Sequence, residues 1–303
     1  MYVNNFDDEI ICNYLVSSEM KKVWNKQLEM LDMLDKVCKK YNITYFADSG
    51  TLIGAIRHKG YIPWDDDIDI VMKRDDYNKF LAIASKEFKE PFLVQTVYTD
   101  SGYFRTHAQI RNSNTTAILK CEEKYNYKFN QGIFIDIFPL DEIPDNNIKF
   151  KIQLFRLKVL KFIMYFGYQK FDADMSNIIK FIIKYTYIIP IICKLIVKVF
   201  GFKNIFKKYE KIASKYNGKN NNRISFIAYS LGKEKHIWKK DWFSKTERVK
   251  FENQMIDIPV GYDERLKKEY GDYMKMVRGS TEHGSIILDP EKPYTEYLGK
   301  KGE

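Results

Sequence analysis

Long uncharged runs are missing from this chain, even where it is most apolar. In KFIIKYTYIIPIICKLIVKVF the longest charge-free stretch, Tyr185 to Cys193, has nine residues and contains Pro190. A bilayer-spanning helix needs roughly 20 apolar residues, so no membrane crossing is expected there. Cysteine is sparse: Cys12, Cys38, Cys121 and Cys193 show neither metal-ligand nor disulfide-framework spacing and read as free thiols in a reducing compartment. The opening MYVNNFDDEIICNYL lacks a basic segment and a long apolar stretch, so no secretory signal is read and a cytoplasmic location is expected. There is no arginine-rich arm, zinc-finger spacing or other nucleic-acid module, and nucleic acid is not an expected partner.

What is present is enough for a folded protein. At 303 residues and 45% hydrophobic content, the chain allows one large domain, or a core with an appended subdomain. A net charge of +10 implies attraction to anions, whether nucleotides or acidic lipids.

The densest chemistry lies in YFADSGTLIGAIRHKGYIPWDDDIDIVM, residues 45–72. Asp67 and Asp69 alternate with Ile68, Ile70 and Val71, so on a β-strand both carboxylates share one face while the apolar residues enter the core. Asp65 has the same parity and joins them if the strand begins there; Asp66 should point the other way. Paired acids suit Mg²⁺ (or Mn²⁺), a hard cation held by one or two carboxylates plus substrate phosphates. The alternative is a solvated acidic turn.

Just upstream, Ile43, Tyr45 and Ala47 read as a short strand ending at Asp48-Ser49-Gly50-Thr51, with a helix beginning by Leu52. Backbone N–H groups at such a turn can cradle phosphate oxygens, and the helix start favours negative charge. Ser49 and Thr51 add hydroxyls, Gly50 allows close approach, and Arg57 and Lys59 could neutralise substrate charge. Alone, such a turn is most often a helix cap. Further on, Asp136 stands in the apolar run IFIDIFPL, where an isolated carboxylate is costly to bury, and a metal or general-base role would explain it. A buried acid paired with a lysine or capping a loop is the other reading. His107, Gln109 and Arg111 share one face of a strand; if it looks into the cleft, Arg111 or His107 could contact a phosphate or the nucleotide.

The run GTLIGAIRHKGYIPWDDDIDIVM resembles the signature of the LicD family. GIFIDIFPLDEIP and IDIPVGYDERLKKEYGDYM resemble the family's later segments, so the similarity spans most of the chain except roughly residues 145–235. The resemblance implies an α/β (α+β) fold, a nucleotidyltransferase-like mixed sheet flanked by helices. It also implies transfer of phosphocholine or a related phospho-group onto a glycan. The family's metal-binding acids would fall on Asp65, Asp67 and Asp69, with Asp136 beside them. The expected donor is a CDP-activated alcohol, CDP-choline favoured, and the acceptor a glycan, lipid-linked or free. Attack of its hydroxyl on the distal phosphorus would release CMP, with Asp67 and Asp69, joined by Asp65 or Asp136, holding the metal and Asp136 taking the proton if the metal leaves it free. The rival readings are a nucleotidyltransferase of the same fold that releases pyrophosphate, and a non-enzymatic, membrane-associated nucleotide-binding protein.

Three segments are expected: a catalytic core over 1–145, a basic helical insertion over 146–222, and 223–303 completing the core and cleft. Ser18 to Tyr41 carries apolar residues at helical spacing, and Tyr262 to Met276 also reads as a helix. In the insertion, Lys180, Lys184, Lys194 and Lys198 gather on one side of a helical wheel. Such a helix can lie on an anionic membrane, here the inner face of the cytoplasmic membrane, or simply expose solvated lysines. Phe226, Tyr229, Trp238, Trp242 and Phe243 supply core aromatics, from which a quaternary-ammonium box cannot be singled out. Arg278 and His283 are possible nucleotide contacts.

Overall fold

A computed structural model describes residues 2–125, 127–168, 188–278 and 285–299. The strands are β1 (Glu9–Ile11), β2 (Tyr14–Val16), β3 (Phe46–Ala47), β4 (Asp69–Lys73), β5 (Phe92–Gln95), β6 (Ala108–Asn112), β7 (Thr116–Leu119), β8 (Ile133–Ile143), β9 (Arg223–Ser225), β10 (Trp238–Lys239), β11 (Thr246–Phe251), β12 (Gln254–Pro259) and β13 (Ile286–Asp289). The α-helices among the described residues are α1 (Ser18–Tyr41), α2 (Ser49–Arg57), α3 (Arg74–Glu87), α4 (Lys120–Glu123), α5 (Asn147–Tyr168), α6 (Ile188–Phe200), α7 (Phe202–Ala213), α8 (Ile227–Ser230), α9 (Tyr262–Tyr270) and α10 (Tyr294–Gly299). The fold is mixed α/β, with a seven-stranded sheet flanked by helices.

β8 organises that sheet. Its residues Asp136–Leu140 pair in parallel with β4, and Ile133–Ile137 pair antiparallel with β6. Its last residues, Asp141–Ile143, pair antiparallel with β9. β3 lies antiparallel beyond β4, and β5 beyond β6. Elements packed on its faces, α1 among them, leave Ile133, Ile135, Ile137 and Ile143 with no exposed surface.

α1 forms where its apolar spacing predicts. The Ser17 hydroxyl accepts from the Met20 N–H at the start, and Asn42 ends the helix in the left-handed region. Its apolar stripe, including Val23, Leu28, Leu31 and Leu34, packs on β8 and joins the main core. Each such side chain contributes about 1.5–3 kcal/mol on burial.

α5, α6 and α7 build a second core around Phe150, Leu157, Phe206 and Tyr209, which Val97, Tyr103, Phe129 and Ile143 complete. Arg74 of α3 ties this region to the sheet. It donates to both carboxylate oxygens of Asp141 on β8 at 2.8 and 2.6 Å, and its other arm lies 3.5 Å from Glu210 of α7.

Two expectations need correction. The helix predicted from Tyr262 to Met276 stops at Tyr270, because Gly271 takes φ +64° and breaks the helical path. β4 begins at Asp69, so Asp65 and Asp67 lie in the loop ahead of it, not on the strand. Lys180 and Lys184 lie outside the described residues, as does His283.

Candidate active site

Three elements meet at the end of the sheet. Because β4 and β8 are parallel and in register, Asp69 stands directly beside Asp136, and Gln109 of β6 stands on the other side of Asp136. One row across the sheet therefore reads Asp69, Asp136, Gln109. Gln109 Nε2 donates to Asp136 Oδ1 at 2.6 Å. His107, two residues earlier on β6, brings its Nε2 to 3.2 Å from the same oxygen, without the alignment of a hydrogen bond. Burial lowers the pKa of His107, although Asp136 opposes the shift, so the ring is neutral at pH 7.

Asp67 reaches this row from the loop. Oxygens of Asp67, Asp69 and Asp136 lie within 4.8 Å of one another, and those of Asp65, Asp66 and Asp67 form an adjoining group with the same limit. Asp66, expected to point away, thus has an oxygen beside those of Asp65 and Asp67. The loop is held by its backbone. Trp24 Nε1 of α1 donates to the Asp65 carbonyl at 3.0 Å, and Gln27 Nε2 to the Asp66 carbonyl at 2.7 Å. Tyr61 stacks on Trp24 at 4.5 Å and donates its hydroxyl to Gln27 Oε1.

The carboxylates repel. Burial pushes the Asp69 pKa well above the ordinary carboxylate range, and Asp67, Asp136, Asp48 and Asp65 raise it further. A divalent cation is what this donor set fits, since hard oxygen ligands converge and the added charge relieves their repulsion. Asp67, Asp69 and Asp136 would hold it, with Asp65 at the edge.

The turn before α2 lies against these acids. The Asp48 N–H donates to the Asp69 carbonyl at 3.0 Å, and Thr51 Oγ1 accepts from the Asp69 N–H at 2.8 Å. Ser49 is held at φ +50°, a conformation costing about 1–3 kcal/mol for a residue with a side chain and often found at functional sites. Gly50 allows the closest approach: a Cβ there would stand 2.4 Å from Asp65 Oδ2.

Not every cationic candidate faces this centre. Arg111 is buried behind it, donating to Gln95 Oε1, Gln109 Oε1 and the Gly132 carbonyl, so it orients Gln109 and does not reach a substrate phosphate. Lys59 turns back to the Ile56 carbonyl. Arg57 donates to the carbonyls of Tyr273 and Lys275 while lining a cavity beside the turn. Arg278 stacks over Tyr14 at 4.8 Å.

Two cavities flank the acids. One, of about 360 Å³, is bordered by Gly50, Arg57, Trp64, Asp65, Tyr270 and Tyr273. The other, of about 770 Å³, is bordered by His107, Arg105, Lys161, Tyr165, Tyr229 and Lys233. In the second, burial and the nearby Lys233 lower the Lys161 pKa to about 8. Of the aromatics expected to supply the core, Phe226, Trp238 and Phe243 do so, whereas Tyr229 borders this cavity.

A residue that sequence reading overlooked anchors the turn. Arg265 of α9 has no exposed surface; its Nη2 lies 2.8 Å from both Asp48 oxygens and its Nη1 2.6 Å from Glu269. Burial disfavours its charge, but Asp48 and Glu269 overcome that and keep it protonated. Its guanidinium stacks on Trp238 at 4.0 Å. Its i,i+4 spacing to Glu269 was the available signal; its partner Asp48 is too far along the chain to be inferred.

The fold and these acids define a nucleotidyltransferase-like domain. Residues 42–153 match the family described as LicD/FKTN/FKRP, nucleotidyltransferase domain. Over 253 residues, 82% of this chain and 89% of the relative, the chain is 30% identical to the lipopolysaccharide cholinephosphotransferase LicD of Haemophilus influenzae. The chain belongs to the LicD family. It is also 32% identical over 155 residues to an uncharacterized protein of Rickettsia prowazekii, 51% of this chain and 52% of that one. A third relative, an uncharacterized protein of Rickettsia typhi, is 32% identical over 125 residues, 41% of this chain and 35% of its own length.

Proposed function

We propose that this protein is a transferase that moves phosphocholine from CDP-choline to a hydroxyl of a cell-surface glycan, lipopolysaccharide or its lipid-linked precursor, and releases CMP. The observation that carries the reading is the row of Asp69 and Asp136 in register, closed by Asp67 and bordered by the α2 turn. Relatedness to a lipopolysaccharide cholinephosphotransferase supports the choice of group and acceptor.

Asp67, Asp69 and Asp136 would hold Mg²⁺, which when bound supplies positive charge to the donor diphosphate and the departing CMP phosphate. The N–H groups at the start of α2, with the Ser49 and Thr51 hydroxyls, border the diphosphate. The choline head, a quaternary ammonium, is assigned to the cavity of Trp64, Tyr270 and Tyr273, where aromatic rings and the acids Asp65 and Asp272 stand beside the cations Arg57 and Lys275. Arg57 is turned onto backbone carbonyls there and its charge is partly satisfied. The acceptor enters through the larger cavity on the His107 side. Its hydroxyl oxygen bonds to the distal phosphorus as the bond to CMP breaks, and Asp136, oriented by Gln109, accepts the hydroxyl proton.

A thermal-shift series with CDP-choline, CDP-ethanolamine, CDP-ribitol, CDP-glycerol, UDP-sugars and ATP, each with and without Mg²⁺, tests the donor. CDP-choline at a hundredfold excess over its Kd should stabilise the fold by about 2.7 kcal/mol, and only with Mg²⁺. Stabilisation by ATP alone would replace the reading with nucleotidyl transfer, and silence toward all of them would end it.

Gly50→Ala tests the turn. The added Cβ meets only the end of the Asp65 side chain, so that carboxylate must swing away while the fold tolerates the change. Melting should shift little, whereas kcat/KM for CDP-choline should fall by about 10²-fold, the effect of a 1 Å misplacement. An unchanged kcat/KM would remove the turn from the donor site.

A further inference from the structure

One exposed surface plays no part in the transfer chemistry. Along α5, Ile148, Ile152, Phe155, Val159 and Phe162 are all exposed, Ile148 at 71% and Phe155 at 68%. At 100° per residue they fall on an arc about 80° wide. α6 packs against α5 and exposes a second stripe of Ile188, Ile192, Leu195 and Val199. Apolar surface on this scale is unusual on a soluble monomer, where it marks a contact with a protein or a membrane.

The charges around the stripe select between those partners. On the same wheel Lys149 and Arg156 flank the α5 stripe on one side, Lys151 and Lys158 on the other, and α5 contains no acid. α6 likewise carries Lys194 and Lys198 and no acid. The acid of α7, Glu210, is turned inward onto Arg74 and Tyr98. A recess of about 540 Å³ beside the first turn of α5 is bordered by Lys149, Lys215 and Lys219 and by one acid, Asp145, which lies against Arg223 and Asn222. Two copies meeting through this face would bring like charges together. An apolar stripe between two rows of cations instead matches the boundary between acyl chains and anionic headgroups.

We propose that the α5–α6 face docks this protein onto an anionic bilayer, the helices lying in the interface. No helix among the described residues is long and apolar enough to cross a membrane, so the attachment is superficial. α5 also supplies Lys161, Met164 and Tyr165 to the cavity on the His107 side. The docked face and that cavity therefore share one helix but lie on different sides of it, about 100–160° apart on the same wheel. The acceptor assignment rests on the proposed function; bilayer docking does not.

Co-sedimentation of the full chain with vesicles tests the docking. One set is pure phosphatidylcholine, the other an equimolar mixture of phosphatidylcholine and phosphatidylglycerol. The protein should partition onto the mixed vesicles at least tenfold more strongly. Lys151→Gln and Lys158→Gln should each weaken that binding about fivefold. Phe155→Ser combined with Val159→Ser should abolish it while melting is unchanged, because both side chains are already exposed. Transfer to a soluble, lipid-free acceptor should be unaffected by the exposed pair, which separates failure of docking from failure of the proposed chemistry. Absence of wild-type binding to the mixed vesicles overturns the proposal. So does binding that the serine pair leaves intact, or a stable wild-type dimer that the same pair converts to monomer.

Discussion

Asp69→Asn is expected to lower phosphocholine transfer by at least about 10³-fold, about 4 kcal/mol of lost transition-state stabilisation, while the variant melts no earlier than the wild type. The two halves of this expectation have one cause. Asp69 is buried among Asp67, Asp136, Asp48 and Asp65, and both burial and that company disfavour its ionised form. Asparagine keeps the shape and removes one of the repelling charges, so the metal-free fold loses nothing. What it loses is an anionic ligand. Asp67→Asn should behave in the same way, since its oxygen closes the same group. Turnover and melting temperature of both purified variants, measured with and without Mg²⁺, decide the matter; near-normal turnover by both would sink the metal assignment.

Arg265→Leu should act on the fold, with a loss of about 3–5 kcal/mol, a large part of the 5–15 kcal/mol that stabilises an ordinary domain. The guanidinium is enclosed between Asp48, Glu269 and the Trp238 ring. Truncating it strands the Asp48 carboxylate, which is 1% exposed and too deep for water to compensate. Glu269 retains His236, whose Nε2 is 2.9 Å away, so the damage should centre on Asp48 and the turn it begins. Arg265→Lys keeps the charge but loses the fork that reaches both acids, and should fall between the two. Urea unfolding midpoints report the effect, and a loss below about 1 kcal/mol for the leucine variant would show that the pair contributes little.

Local pattern made some of this molecule legible before any coordinates. Ser18 to Tyr41 is a helix because its apolar spacing and its cap agree, and the core strand around Asp136 follows from an apolar run. Register was beyond reach. That Asp69 faces Asp136 follows from parallel pairing of β4 with β8, across a chain separation that no periodicity encodes. Asp67 was placed on the strand by alternation, whereas its loop is held by α1 through Trp24 and Gln27, contacts between side chains and backbone carbonyls that composition does not reveal. Arg111 illustrates the opposite error. An arginine on the right strand invited a phosphate contact, but its donors are consumed by Gln95, Gln109 and Gly132 inside the protein. The apolar stripe of α5 is hard to read from sequence because lysines and an arginine are interleaved with it along the helix.

The length of β8 bears on how this site is lost. Every residue from Ile133 to Ile143 is paired with a neighbouring strand, and Asp136 lies where the β4 and β6 ladders overlap. Peripheral pieces such as the β11–β12 hairpin or β1–β2 can fray on their own, as elements with few partners do. Asp136 is held from both edges in the interior of β8, whereas Asp69 opens β4 and forms the first pair of the β4–β8 ladder. Asp136 thus belongs to the part of the sheet that opens last, while Asp69 and the loop of Asp65 to Asp67 can loosen ahead of it, so the acid cluster should be lost before the fold is.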